Sequence, residues 1–263
     1  MKLHKEYTYL FHDIDRHGVR KNHTSPMLLN DFTSLVRFKP DLDLIFELLE
    51  ERKLDPYFTP TVYVKQCIFG KNGKHTGLFL TSFIDETNIV KHFIEYEWWQ
   101  NPNWENDPDP SKDEVKKAKV EVQPEYDGWY EVIVEKYHET VKVIVAGIGE
   151  DSASVDGMID YSMSLMWCGS ATGLQDADGK ISQVFQCLFT GDISLLHMQE
   201  ATMSSEQKKL CFGNYNAFKD EGFDCIGDVI FISTNFSETT PLKARDFSGN
   251  GMHLLKYNKE WIS

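Results

Sequence analysis

Apolar residues recur along this chain with two different periods, and turn-forming residues separate the stretches that carry them. From 129 to 174 the sequence reads WYEVIVEKYHETVKVIVAGIGEDSASVDGMIDYSMSLMWCGSATGL. Two β-branched runs, 130–135 and 141–146, flank the short link 137–140, a pattern that predicts strand, turn and strand. The second run is almost wholly apolar and is expected to be a central strand covered on both faces. It ends in Gly147-Ile148-Gly149, after which a helix is expected, with Glu150 and Asp151 placed at the positive end of its dipole.

The clearest helical period lies at 40–53. Leu42, Ile45, Phe46 and Leu49 fall on one face, and Glu47, Glu50, Glu51 and Arg52 lie toward the other. Pro40 suits the first helical position, and Pro56 stops the helix. Segments 61–69 and 76–84 alternate around Asn72-Gly73, a dipeptide that accepts the positive φ values of a type I′ hairpin turn. A two-residue turn there sets Cys67 opposite Leu78 and Val62 opposite Phe83. Segment 88–99 satisfies both periods; Asp85 or Thr87 as a cap favours the helix. Further strands are expected at 7–11, 181–189, 228–233 and 252–257, and a short helix at 204–211 capped by Ser204 or Ser205.

Segment 100–114 holds three prolines with several Asn and Asp residues, which marks a loop or linker and divides the chain into regions 1–114 and 115–263, or leaves one domain with a long loop. Trp104 within it is expected to pack back onto the protein. The order of elements is mixed rather than strictly alternating, which predicts an α+β fold with a mixed, largely antiparallel sheet.

Composition narrows the function classes. A chain of 263 residues with 41% hydrophobic and 13% aromatic residues can bury a core without staples. Its net charge is −14, the opposite of what a nucleic-acid or anionic-membrane binder carries, so neither partner is expected. An acidic surface steers basic partners toward it, which implies a protein partner with a basic surface. Five cysteines without a CxxC pair, and no secretory leader or apolar run of membrane-spanning length, imply reduced thiols and a cytoplasmic location.

Candidate chemistry is sparse. His12, Asp13, Asp15, His17 and His23 are metal-ligand types, but their spacing matches no known site. Asp176-Ala177-Asp178-Gly179 resembles part of a calcium loop, yet its first and twelfth positions would be Leu174 and Phe185, which excludes an EF-hand. The sequence therefore calls for no metal and no cofactor. Cys168 has no basic neighbour to make it a thiolate, and the serine-nucleophile and phosphate-loop motifs are absent. A glycine turn before a helix can meet phosphate through its N–H groups, but Glu150 and Asp151 stand where the phosphate would lie, which favours a purely structural turn.

The stretch VIVAGIG, followed by Gly169-Ser170-Ala171-Thr172-Gly173-Leu174, resembles the nucleoside phosphorylase and nucleosidase superfamily. Segments HMQEAT at 197–202 and VIFISTN at 229–235 resemble that family's ribose-binding and base-binding segments. The resemblance spans 129–238. It implies that Glu200 holds the ribose hydroxyls, that Asn235 acts at the leaving base, and that Gly147, Gly149, Gly169, Ser170 and Gly173 line the ligand. Two functions follow from the sequence: binding of a macromolecular partner, as an inhibitor, immunity-type or assembly protein, and, alternatively, nucleoside or nucleotide processing.

Overall fold

The fold is that of a computed structural model, which describes residues 2–3, 7–13, 31–55, 61–71, 76–100, 114–123, 128–155, 166–168, 174–175, 181–182, 189–199, 202–213, 228–233, 243–244 and 252–258. The chain begins β1 (Lys2–Leu3), β2 (Tyr7–Asp13), β3 (Phe32–Pro40), α1 (Leu42–Lys53), β4 (Val62–Lys71), β5 (Thr76–Ile84) and β6 (Val90–Gln100). It continues β7 (Glu114–Val122), β8 (Tyr130–Tyr137), β9 (Thr140–Val145), β10 (Gly149–Ser154), β11 (Met166–Cys168), β12 (Leu174–Gln175) and β13 (Ile181–Ser182). Last come β14 (Gly191–Gln199), α2 (Ser205–Gly213), β15 (Asp228–Ser233), β16 (Lys243–Ala244) and β17 (Met252–Asn258).

These strands form two large antiparallel sheets. One runs β1-β14-β3-β8-β9-β10 with β15 also on β14, and the other runs β16-β17-β2-β11-β4-β5-β6-β7. Val36, Phe38, Val132, Val134 and Val143 of the first sheet share one buried cluster with Val64, Leu80, Ile94, Tyr96 and Val120 of the second. The architecture is therefore a β-sandwich, which corrects the expected α+β class. The two described helices each cover part of a β framework rather than forming a layer of their own. Gln100 and Glu114, at the two ends of the proline-rich segment, are cross-strand partners in one sheet. Trp104 lies outside the described residues.

The hairpin expected from the β-branched runs is present as β8 and β9. β9 is one strand in from an edge, and its burial alternates. Val141, Val143 and Val145 face the core, while Lys142 and Ile144 are half-buried on the other face. The helix expected after Gly149 is a strand, β10, which folds straight back onto β9. Gly147, at φ +74°, makes that reversal possible. Glu150 and Asp151 are thus strand residues and cap no helix. Glu150 pairs with Lys142 at 2.7 Å, and Asp151 Oδ2 accepts the backbone N–H of Lys119 on β7 at 2.9 Å. That second bond joins the edge strand of one sheet to the edge strand of the other, which closes this side of the sandwich and covers an open donor.

β6 is the second correction. Val90, His92, Ile94, Tyr96 and Trp98 follow period two, and the last four of these are buried. Asp85 caps a turn, not a helix. Its Oδ1 accepts from Thr87 N, Thr87 Oγ1 and Ile89 N at 2.9, 2.6 and 3.0 Å, with Asn88 at φ +62°. Between β4 and β5, Lys71 pairs with Thr76, which leaves four residues in the connection where a two-residue turn is expected. A bulge at Ile68 then sets Cys67 opposite Phe79 and Val62 opposite Ile84, a register that differs from the expected one. The bulge also lets Ile68 and Phe69 both enter the core while Cys67 faces outward.

α1 lies where its period places it, with Ile45 and Leu49 buried. Asp41 is the N-cap, accepting from Leu44 N at 3.2 Å, and Pro40 ends β3 instead of starting the helix. α2 is capped by Ser204, whose Oγ accepts from Gln207 N at 3.2 Å while Gln207 Oε1 accepts from Ser204 N at 2.8 Å, a capping box. β2, β15 and β17 match the expected strands. Of the strand expected at 181–189, Ile181 and Ser182 pair with β12, and 183–188 lie outside the described residues.

Gly191 is where the backbone allows least change. It stands at φ +145°, and a Cβ there would lie 2.2 Å from Lys39 O and 2.9 Å from Pro40 Cα. Gly191→Ala is expected to cost about 2–3 kcal/mol, since both the strained φ and the clash fall on backbone atoms. Gly147→Ala meets nothing within 4 Å and is expected to cost about 1 kcal/mol from φ alone. Denaturant titration of the two variants tests the ordering; equal losses would show that the contact at Gly191 relaxes freely.

Candidate docking surface

One end of the sandwich combines exposed apolar side chains with carboxylates. α1 ends at Leu54, its C-cap, which is 87% exposed. Two residues earlier, Arg52 donates from Nη1 to Tyr63 O and lies over the Tyr63 ring at 6.0 Å. This ties the end of the helix to the start of β4, where Tyr63 is 43% exposed. Ile84 pairs with both Val62 and Val90, so the turn before β6 lies at the same end of the sheet. Ile89, in that turn, is 57% exposed. Strand spacing places β4 and β6 about 10 Å apart. Leu54, Tyr63 and Ile89 therefore share one end of the molecule.

Acidic groups surround this patch. Residues 41–55 carry six carboxylates against Arg52 and Lys53. Glu50 and Glu51 are exposed in the last turn of α1, four and three residues before Leu54, so they lie on the same side of the helix end. Beside Ile89, the carboxyl of Asp85 is held below its ordinary range by the Thr87 hydroxyl first, then by the Ile89 amide and the Lys91 ammonium. Asp85 is ionised at any pH near neutrality.

A second polar array lies on the outward face of β4–β7. The rows there read Lys65, Thr81, Phe93, Glu121, then Cys67, Phe79, Glu95, Lys119, then Gly70, Gly77, Glu97, Lys117. Lys65 crosses above the Phe79 ring at 4.1 Å and reaches Glu97 Oε2 at 2.5 Å. Beside it, Gly70 and Gly77 pack backbone to backbone: a Cβ at Gly77 would lie 2.5 Å from Phe69 O and 2.7 Å from Gly70 Cα. Lys117 Nζ is 2.5 Å from Glu97 Oε1 and 4.0 Å from Glu95, and the Thr81 hydroxyl donates to Glu95 at 2.5 Å. Burial alone would lower the Lys117 pKa, but the Glu97 bond and the charges of Glu95 and Glu97 outweigh it and raise the pKa. Two carboxylates two residues apart on one strand would suit acid–base chemistry if one of them held its proton. Here ammonium groups stand against both, Lys65 and Lys117 at Glu97 and Lys117 at Glu95.

Of the positions expected to bind a nucleoside, two lie among the described residues. Gly147 and Gly149 belong to the β9–β10 hairpin turn, where Gly149 lies beside Val120. Gly169, Ser170, Gly173, Glu200 and Asn235 lie outside the described residues, as do His17 and His23. Cys67 is buried and in no disulfide, and the side chains of Cys168, Cys187, Cys211 and Cys225 lie outside the described set. Sequence reasoning missed the exposed apolar patch, the Lys–Glu array and a buried Ser82–His92 pair. The last two depend on β6 being a strand, and its alternating His92, Ile94, Tyr96 and Trp98 carried that signal.

No family model and no curated protein matches the chain. Among solved structures it is similar to the enzymatically active domain of bacteriophage CBA120 tailspike protein 2, with TM-score 0.38 and 10% identity over 72% of this chain. That match spans 24% of the tailspike chain, so this chain covers about a quarter of that protein's length. It is also similar to the CBM40 domain of a Ruminococcus gnavus sialidase, with TM-score 0.44, 9% identity, and 79% and 92% of the two chains covered. A SAP-like pentraxin from Limulus polyphemus matches with TM-score 0.39, 11% identity, and 79% and 82% coverage. A nucleoside phosphorylase is not among these. The resemblance to that superfamily is corrected by the fold itself, because its strand–glycine-turn–helix unit is a three-stranded meander here. Among the described residues no helix is long and apolar enough to cross a membrane.

Proposed function

We propose that this protein acts by binding a macromolecular partner with a basic surface, and that it does so through the end of the sandwich formed by Leu54, Tyr63 and Ile89 within their acidic surround. The observation that carries the reading is the coincidence of three exposed large apolar residues with the carboxylates of the last turn of α1. Apolar side chains at the centre of a patch supply contact area, and charges at the rim set the choice of partner and the rate of encounter. A net charge of −14 acts in the same direction at longer range.

The test is affinity capture followed by measurement of the purified pair. Binding is expected to weaken about tenfold or more between low and high salt, as rim charges are screened beyond about 8–10 Å. Glu50→Lys with Glu51→Lys should weaken it to a similar degree. Ile148→Asp alters a half-exposed apolar residue in the β9–β10 turn and should leave it unchanged. A partner held equally well by the charge-reversed variant, or without salt dependence, would rule out this surface.

A further inference from the structure

Beneath α1, two polar side chains occupy a core-facing row that otherwise holds valines. Ser82 on β5 and His92 on β6 are cross-strand partners, each 1% exposed, with Ser82 Oγ 2.8 Å from His92 Nδ1. The row continues to Val64 on β4 and Val122 on β7, both buried. Phe46 of α1 meets the imidazole edge to face, with centroids 6.0 Å apart at 84°. His92 Nε2 has no hydrogen-bond partner among the described residues. Burial lowers the pKa of this imidazole from 6.5 to about 4, so it is neutral at pH 7.

The charged groups of the surrounding elements offer no compensation for a proton. Lys91, Glu95 and Glu97 on β6, Lys65 on β4, and Lys117, Lys119 and Glu121 on β7 alternate to the opposite face of the sheet. On α1, Asp43, Glu47, Glu50 and Glu51 are exposed, and Arg52 is directed to Tyr63. Among the described residues, the apolar cluster around the imidazole also holds the phenols Tyr96 and Tyr130.

We propose that Ser82 and His92 form a proton-operated latch beneath α1, closed while the imidazole is neutral and opened in acid by release of the helix from the sheet. A protonated ring must donate from both nitrogens, and Nε2 then requires water. β5 and β6 are hydrogen-bonded along both edges, so separating them breaks whole ladders. α1 is held by packing of Ile45 and Leu49, by the partly buried Leu42, Phe46 and Leu48, by the backbone bond Asp41 N to Thr190 O at its start, and by the exposed side-chain bond from Arg52 Nη1 to Tyr63 O at its end. Moving α1 therefore admits water to His92 without breaking a strand pair. The folded-state pKa lies below the ordinary value, so the closed form's advantage is whole above pH 6.5 and is lost as pH falls toward 4.

Hydrogen exchange read by mass spectrometry at pH 7 and pH 5, corrected for the intrinsic pH dependence of exchange, tests the latch. Protection of the helix Leu42–Lys53 is expected to fall about 20-fold between these values, while Thr76–Ile84 and Val90–Gln100 keep theirs. His92→Gln, which does not titrate, should flatten the helix response. Helix protection that is unchanged in the parent, an equal loss in His92→Gln, or a loss shared by β5 and β6 would each overturn the proposal. If His92→Gln does not fold, NMR of labelled histidine replaces it. The His92 midpoint should then coincide with loss of helix protection, and titration near 6.5 with the helix in place would overturn the latch.

Discussion

Val143→Asp is expected to destabilise the protein by more than about 4 kcal/mol, enough to lower its melting temperature by roughly 10 °C or to leave it insoluble. Val143 is fully buried on β9 and lies between Val134 on β8 and Asp151 on β10. The new carboxylate would lose water without gaining a partner. It would also stand directly across from Asp151, whose own carboxylate is engaged with the Lys119 amide, and like charges in that position repel. Ile144→Asp is the companion measurement, because Ile144 points to the other face and is half-buried. A strand with one core face predicts a much smaller loss at 144 than at 143. Equal losses would mean that both faces of β9 are covered.

Glu97→Ala is expected to cost about 3 kcal/mol. The Glu97 side chain is fully buried against Lys65, whose side chain is 15% exposed, and Lys117, whose side chain is 44% exposed. Removing the carboxylate leaves the Lys65 ammonium on a largely covered face, and breaking a buried pair from one side costs more than the pair itself contributes. Lys117 can turn to solvent or to Glu95, which holds the loss toward the lower end of the range for such pairs. Adding Lys65→Met to Glu97→Ala should therefore recover a substantial part of the stability, since the stranded charge is gone. Urea denaturation of both single variants and the double completes a cycle. Strictly additive losses would show that Lys65 and Glu97 are energetically independent despite their contact.

Sequence alone determined those elements whose local signal had no competitor. α1 is one: Ile45 and Leu49 repeat at helical spacing and no strand pattern fits the same residues, although its start moves from Pro40 to the Asp41 cap. The β8–β9 hairpin is another, because β-branched residues on both sides of a short polar link leave little else to form. For α2 the sequence offers a short helix with Ser204 or Ser205 as its cap, and the exchange between Ser204 and Gln207 selects Ser204.

Tertiary structure decided the rest. Segment 88–99 carries both periods, and the choice fell to strand because β5 and β7 present edges on either side of it, which a helix could not use. Gly147–Gly149 can lead to a helix or to a hairpin. Asp151 can cap the first or tie β10 to β7 in the second, and only the position of β7 selects between them. The register of β4 on β5 shifted because the core accepts both Ile68 and Phe69, which requires a bulge that no local turn rule contains. The exposed apolar patch follows the same logic. Leu54, Tyr63 and Ile89 are unremarkable singly, far apart in sequence and unlike in context. They become one surface because a helix end, a strand start and a turn arrive at the same end of two packed sheets, and such convergence is a property of long-range pairing that local periodicity does not encode.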